Sequence, residues 1–140
     1  PDCVVPPSIT KKQEYLQAVK RSTICVATMG LDRSNGWKLA EYVASARAIV
    51  TETPYYEVPG DFGPEKNYLE FSTASECVRS VMRLYENPGQ CYEMMLANHS
   101  YYQRYLRPDI LVWNSLQKLR EVATSDSAAT LPANEVQAVL

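Results

Sequence analysis

Thr23-Ile24-Cys25-Val26-Ala27-Thr28 is an unbroken apolar run, and Ala48-Ile49-Val50-Thr51 repeats it a short distance on. Strands with one wet face alternate apolar and polar residues; a continuous run suits a strand covered on both faces, as in a parallel sheet. Between the runs lie a polar loop, Gly30-Leu31-Asp32-Arg33-Ser34-Asn35-Gly36, and a segment from Trp37 to Arg47. That segment places Leu39, Tyr42, Val43 and Ala46 at helical spacing. Strand, helix, strand is the unit that joins parallel neighbours by a crossover.

Working outward, Thr10 with Gln13 predicts a capping box ahead of a short helix whose apolar positions are Tyr15, Leu16 and Val19. Downstream, Pro54 to Lys66 holds three prolines and two glycines and reads as a long structured loop. Loops of that length tend to be functional or mobile. Tyr68–Phe71 reads as a third strand. Thr73 with Glu76 predicts a second capping box, opening a helix with Cys77, Val78, Val81, Met82 and Tyr85 on one face. Asn87-Pro88-Gly89 ends it. A helix from Gln90 to Leu106 follows, with Tyr92, Met95, Leu96, His99 and Tyr102 on one stripe. After Pro108 a last helix carries Leu111, Ser115, Leu116, Leu119 and Val122, and beyond Ala123 the residues are mostly small or polar. The expected fold is α/β: a partial Rossmann-like parallel sheet of about three short strands, flanked by helices, with a long C-terminal helical segment. Residues 1–122 form an incomplete domain in this reading, and residues 123–140 a flexible tail. Three short strands leave both sheet edges open, so the chain is also expected to self-associate.

Of the 140 residues 46% are apolar and 21% charged, which argues against general disorder and suits one domain. The net charge of −2 gives no global attraction to nucleic acid or to an anionic membrane. No apolar run is long enough to span a bilayer. One histidine, His99, excludes an intrachain site needing two imidazoles, and Cys3, Cys25, Cys77 and Cys91 lack metal-ligand spacing. No metal or other cofactor is called for. The cysteine usage suggests a reducing, cytoplasmic compartment. His99 reads as a core or interface histidine rather than a catalytic one. Tyr101, Tyr102 and Tyr105 with Arg104 and Arg107 read as amphipathic helix cover rather than a platform for nucleic-acid bases.

The segment from Gly30 to Glu41 carries the candidate chemistry. In open parallel sheets ligands sit beyond the carboxyl ends of strands, where a loop enters a helix N-terminus whose unpaired N–H groups suit phosphate oxygens. Gly36 lets an anion approach the backbone, Arg33 and Lys38 add positive charge, and Glu41 lies one turn past Trp37 with its carboxylate expected free. The plain alternative is Glu41 paired with Lys38 on a solvated face. On physical grounds alone that alternative wins.

The string Gly36-Trp37-Lys38-Leu39-Ala40-Glu41-Tyr42-Val43-Ala44-Ser45-Ala46-Arg47-Ala48-Ile49-Val50-Thr51 resembles a stretch of glycosyltransferases of the GT-B fold, above all the retaining group 1 class, similar to family 4. Gly36 and Glu41 match the glycine and the second glutamate of that family's Glu-x7-Glu motif. Lys66–Phe71, Thr73–Pro88 and Gln90–Pro108 resemble its following strand, helix and closing helix, so the likeness covers about Thr10 to Leu119. It implies a nucleotide-diphosphate-sugar donor, its ribose held by Glu41 and its diphosphate by Arg33, Ser34, Asn35, Gly36, Trp37 and Lys38. The chain would then be the donor-binding C-terminal part of an enzyme that moves a sugar to an acceptor hydroxyl. The family's first glutamate falls at Arg33, a charge reversal: either Arg33 grips the diphosphate or the site is remodelled. Ala46 and Ala48 stand where the family usually has Gly and Pro. The Pro54–Lys66 loop, with Tyr55, Tyr56, Glu57 and Asp61, either closes over the sugar or is an inert connection. The rival reading is a non-catalytic α/β interaction or oligomerisation module derived from the same fold.

Overall fold

A computed structural model of the chain describes residues 11–129. The elements are α1 (Lys12–Arg21), β1 (Ile24–Ala27), α2 (Trp37–Ala44), β2 (Ala48–Glu52), β3 (Leu69–Phe71), α3 (Ala74–Glu86), α4 (Pro88–Tyr101) and α5 (Pro108–Ala129). The fold is α/β. Its three strands form one parallel sheet in the order β1-β2-β3, a partial Rossmann-like arrangement, and a long helix ends the described chain. Two compact units divide between Arg107 and Pro108. No helix among the described residues is long and apolar enough to cross a membrane.

In the first unit β2 is the middle strand, and its first four residues are buried, as its apolar run requires. Ile49 faces one layer, packed with Val19 of α1, Cys25 and Ala27 of β1, and Leu39 and Val43 of α2. Ala48 and Val50 face the other layer, with Leu69, Leu84 of α3, and Cys91 and Met94 of α4. β1 departs from its expected cover on both faces. Cys25 and Ala27 are buried, but Val26, on the opposite face, is 41% exposed. The cause is placement: α3 packs mainly over β2 and β3, so the second face of β1 stays partly open.

The helices show where local pattern and packing part company. The predicted capping box of α3 is present: the Thr73 hydroxyl accepts from the Glu76 N–H at 3.2 Å, and the Glu76 carboxylate accepts from the Thr73 N–H at 3.2 Å. Its buried face, however, is Leu84 with half-buried Cys77 and Val81, while Val78, Met82 and Tyr85 are exposed. In α4 the buried positions are Cys91, Met94, Asn98 and Tyr101, one residue out of phase with the predicted stripe, and His99 is on the surface rather than in the core. The phase is set by a polar residue. Asn98 is fully buried, and its amide donates to the Arg47 and Asn67 carbonyls, both at 2.8 Å. A single π-helical turn, Tyr102–Leu106, ends this unit's last helix. α1 starts after Lys11 with no side-chain cap; Thr10, half of the predicted box, lies outside the described residues, as does Cys3.

α2 stops at Ala44 rather than Arg47. The Arg47 N–H reaches back to the Tyr42 carbonyl at 3.0 Å and the Ala46 N–H to the Val43 carbonyl at 2.9 Å. Ala46 sits at φ 52°, the left-handed cap position that usually holds glycine. This tight closure delivers the chain into β2 at Ala48. In the second unit, α5 runs to Ala129, past the Ala123 at which the sequence pattern fades. The Thr124 hydroxyl donates to the carbonyls of Arg120 and Glu121 near its end.

Candidate functional site

The loops that follow β1 and β2 leave the same, carboxyl end of the parallel sheet and are tied to each other. The Met29 N–H donates to the Glu52 carboxylate at 2.6 Å, binding the exit of β1 to the end of β2. The Asn35 carboxamide donates to the Tyr56 carbonyl at 2.8 Å and accepts from the Tyr56 N–H at 3.5 Å. The Arg33 guanidinium lies over the Tyr55 ring, 5.4 Å from its centroid, close enough for a cation–π contact. Gly30–Gly36 and Pro54–Lys66 therefore form one rim.

The backbone of that rim is strained. Asp32 and Arg33 are consecutive non-glycine residues with positive φ, 53° and 58°, in a short 3-10 turn. Each such residue costs about 1–2 kcal/mol relative to its relaxed state. Gly36 follows at φ 52° and ψ 146° as the residue before α2, a conformation that side-chain-bearing residues rarely adopt. It contributes no side-chain cap, so the first N–H groups of α2 are not held by a capping side chain. Trp37 is 88% exposed at the first helical position, Lys38 is exposed beside it, and Leu39 turns into the core. Ser34 is exposed, and its carbonyl accepts from the Gly30 N–H at 2.8 Å, closing the turn.

Arg33, Ser34, Asn35, Gly36, Trp37 and Lys38 are thus adjacent at one rim, with Asn35 already engaged by Tyr56. Glu41 is placed differently from the free carboxylate that the sequence suggests. It is half-buried and paired not with Lys38 but with Lys12, at the first position of α1. The buried Tyr15 hydroxyl has no hydrogen-bond partner among the described residues and lies near this group; burial first, then Tyr42 and Glu41, raise its pKa well above the usual phenol value. Lys12 and Tyr15 carry no local signal that would link them to Glu41: Lys12 is 29 residues away in sequence, and only the tertiary fold brings the two side chains together.

Behind Gly36 lies a small, partly open pocket of about 100 Å³, lined mainly by Leu39, Val43, Val58, Phe62, Tyr101 and Leu106. Its apolar walls suit an uncharged ring more than an ion. The far wall is an aromatic cluster that also fixes the Pro54–Lys66 loop. Phe62 sits 4.8 Å from Tyr101 and 5.1 Å from Tyr68 between ring centres, and the Tyr101 hydroxyl donates to the Pro59 carbonyl at 2.6 Å. Gly60, at φ 78°, lies under the Tyr105 ring, where a Cβ would come within 2.4 Å of it. Bidentate pairing of Arg83 with Glu65, at 2.6 and 2.9 Å, fastens the end of the loop to α3 and holds the Glu65 carboxyl below its usual range. No group of three or more His, Cys, Asp or Glu among the described residues could hold a metal ion. Comparison of the chain with family models, curated proteins and solved structures gave no match.

Proposed function

We propose that this chain is the nucleotide-sugar-binding C-terminal portion of a GT-B-like glycosyltransferase, which moves a sugar from a nucleotide diphosphate donor to an acceptor hydroxyl. The observation that carries the reading is the uncapped N-terminus of α2. It opens through left-handed Gly36 at the carboxyl end of a parallel sheet, with the cations Arg33 and Lys38 beside it and an apolar pocket behind. The diphosphate oxygens would accept from the first N–H groups of α2, with Arg33 and Lys38 balancing their charge. The Glu41 carboxylate would accept from the ribose hydroxyls. Its partner Lys12 is exposed, and an ion pair of that kind is worth about 0–1 kcal/mol, so the pair yields readily to a ligand. The pocket behind Gly36 would take an uncharged ring of the donor.

Calorimetric titration of the protein with nucleoside diphosphates tests this. Binding that Glu41→Ala removes supports the donor site; no binding to the intact protein overturns it. One observation favours a second reading, an interaction module without a donor: the open face and edge of β1. Under that reading the titration is silent and the chain still associates.

A further inference from the structure

The two edges of the sheet are treated in opposite ways. β3 is three residues long, carries exposed Glu70, and gives the Glu70 carbonyl to the Ser80 hydroxyl at 3.3 Å. Short length, charge and local capping are the devices by which edge strands avoid pairing. β1, Ile24-Cys25-Val26-Ala27, has no charge, no proline and no bulge. The Ala48 N–H donates to the Thr23 carbonyl, and the parallel register then turns Cys25 and Ala27 toward β2. The backbone groups of Ile24 and Val26 point away from β2, to a side on which no strand among the described residues pairs with them. Of these the Val26 carbonyl accepts only a long 3.4 Å bond from the Tyr42 hydroxyl.

The apolar surface lies on the same side. On α3, Ser80 and Arg83 reach toward β3 and its loop through Glu70 and Glu65. Val78, Met82 and Tyr85, at spacings of four and three, therefore occupy the opposite flank, and Tyr85 shares a groove with Ile24 and Tyr92. With Val26 these side chains expose on the order of 600 Å² of mostly apolar surface, at the top of what a monomer leaves in one patch. With the strand edge added, this nears the ~800 Å² that each partner gives to a stable interface.

We propose that a second copy of the chain covers this surface through a twofold axis at Cys25, so that the two β1 strands pair antiparallel. Ile24 then faces Val26 of the other copy in a hydrogen-bonded pair, and symmetry repeats the exchange, giving four backbone hydrogen bonds. The sequence is self-complementary under that operation, since outward-facing Ile24 and Val26 are two residues apart and both β-branched. The apolar flanks of α3 close over the joined strands, and the three-stranded sheets of the described residues become continuous across the axis.

Sedimentation mass and residue-resolved amide exchange on the full chain test the proposal, and neither requires a variant. A dimer is expected, with the Ile24 and Val26 amides protected increasingly as concentration rises. A monomer at every concentration up to the solubility limit overturns it, as does a dimer whose Ile24 and Val26 amides exchange like unpaired ones. Val26→Lys, at an already exposed position, is expected to weaken the dimer at least tenfold while circular dichroism stays native. A folded Val26→Lys chain that dimerises as before overturns the proposal.

Discussion

Asn98 and Asn67 form a closed pair in the core. The Asn67 amide donates to the Asn98 side-chain oxygen at 3.0 Å, and the Asn98 amide returns a bond to the Asn67 carbonyl at 2.8 Å. The Asn67 side-chain oxygen also accepts from the Gly63 N–H, so the pair joins α4, the start of β3 and the end of the long loop. Asn98→Leu keeps the volume but leaves the Arg47 and Asn67 carbonyls and the Asn67 amide buried without this partner. At about 1–3 kcal/mol for each stranded group, a loss of roughly 3 kcal/mol or more is expected as a lower urea midpoint.

Met94 gives a subtler case. β3 joins β2 only from Val50 onward, and the Ile49 N–H donates to the Met94 sulfur at 3.3 Å. Met-to-Leu exchange in a core usually costs less than about 1.5 kcal/mol. Met94→Leu is expected at or above that limit, because a buried backbone N–H loses its acceptor. Slower exchange at Ile49 in the variant than in the parent would contradict this account.

Ala46→Gly is expected to stabilise the protein by about 1 kcal/mol, since glycine adopts the left-handed cap without a Cβ penalty. The thermal midpoint should rise by several degrees. Ala46→Val should lower it.

Arg33→Gly should separate stability from binding. Relief of the positive φ at position 33 is expected to add about 1 kcal/mol to unfolding stability. Under the donor reading the same change weakens nucleoside diphosphate binding, by loss of a cation at the rim. A variant that is both more stable and unchanged in nucleotide affinity would remove Arg33 from the site.

Alkaline pH should find Tyr101. Its burial first, then Tyr105 and Asp61, push its phenol up to about 12 from 10.0. The folded state thus keeps the proton longer than the unfolded state, and the stabilisation is complete below pH 10 and lost as pH rises toward 12. The linkage corresponds to on the order of 3 kcal/mol across that window. Tyr101→Phe should flatten this stretch of the stability curve, at the cost of the bond to Pro59.

The apolar runs at β1 and β2, the Thr73–Glu76 box and the loop-to-helix junction at Gly36 are local patterns, and the sequence displays each of them. What stayed hidden depends on partners distant in the chain. An asparagine reads as a surface residue until the carbonyls of Arg47 and Asn67 are placed against it, which is why the buried stripe of α4 was one residue out of phase. The exposed flank of α3 is as apolar as its buried one, so periodicity cannot choose between them. At the candidate site the order of residues 33–38 was legible, but the hold of Lys12 on Glu41 and of Tyr56 on Asn35 was not.

The clasp between Asn35 and Tyr56 has a thermodynamic consequence. A loop that must be immobilised by its ligand takes the ordering entropy out of the affinity, at about 1–2 kcal/mol per residue fixed. Here the connection after β1 is already moored to the connection after β2, and that one to α3 and α4 through Glu65 and Tyr101. A ligand arriving at the rim meets a surface whose configurational cost was met during folding, so its affinity reports contacts rather than the taming of a loop.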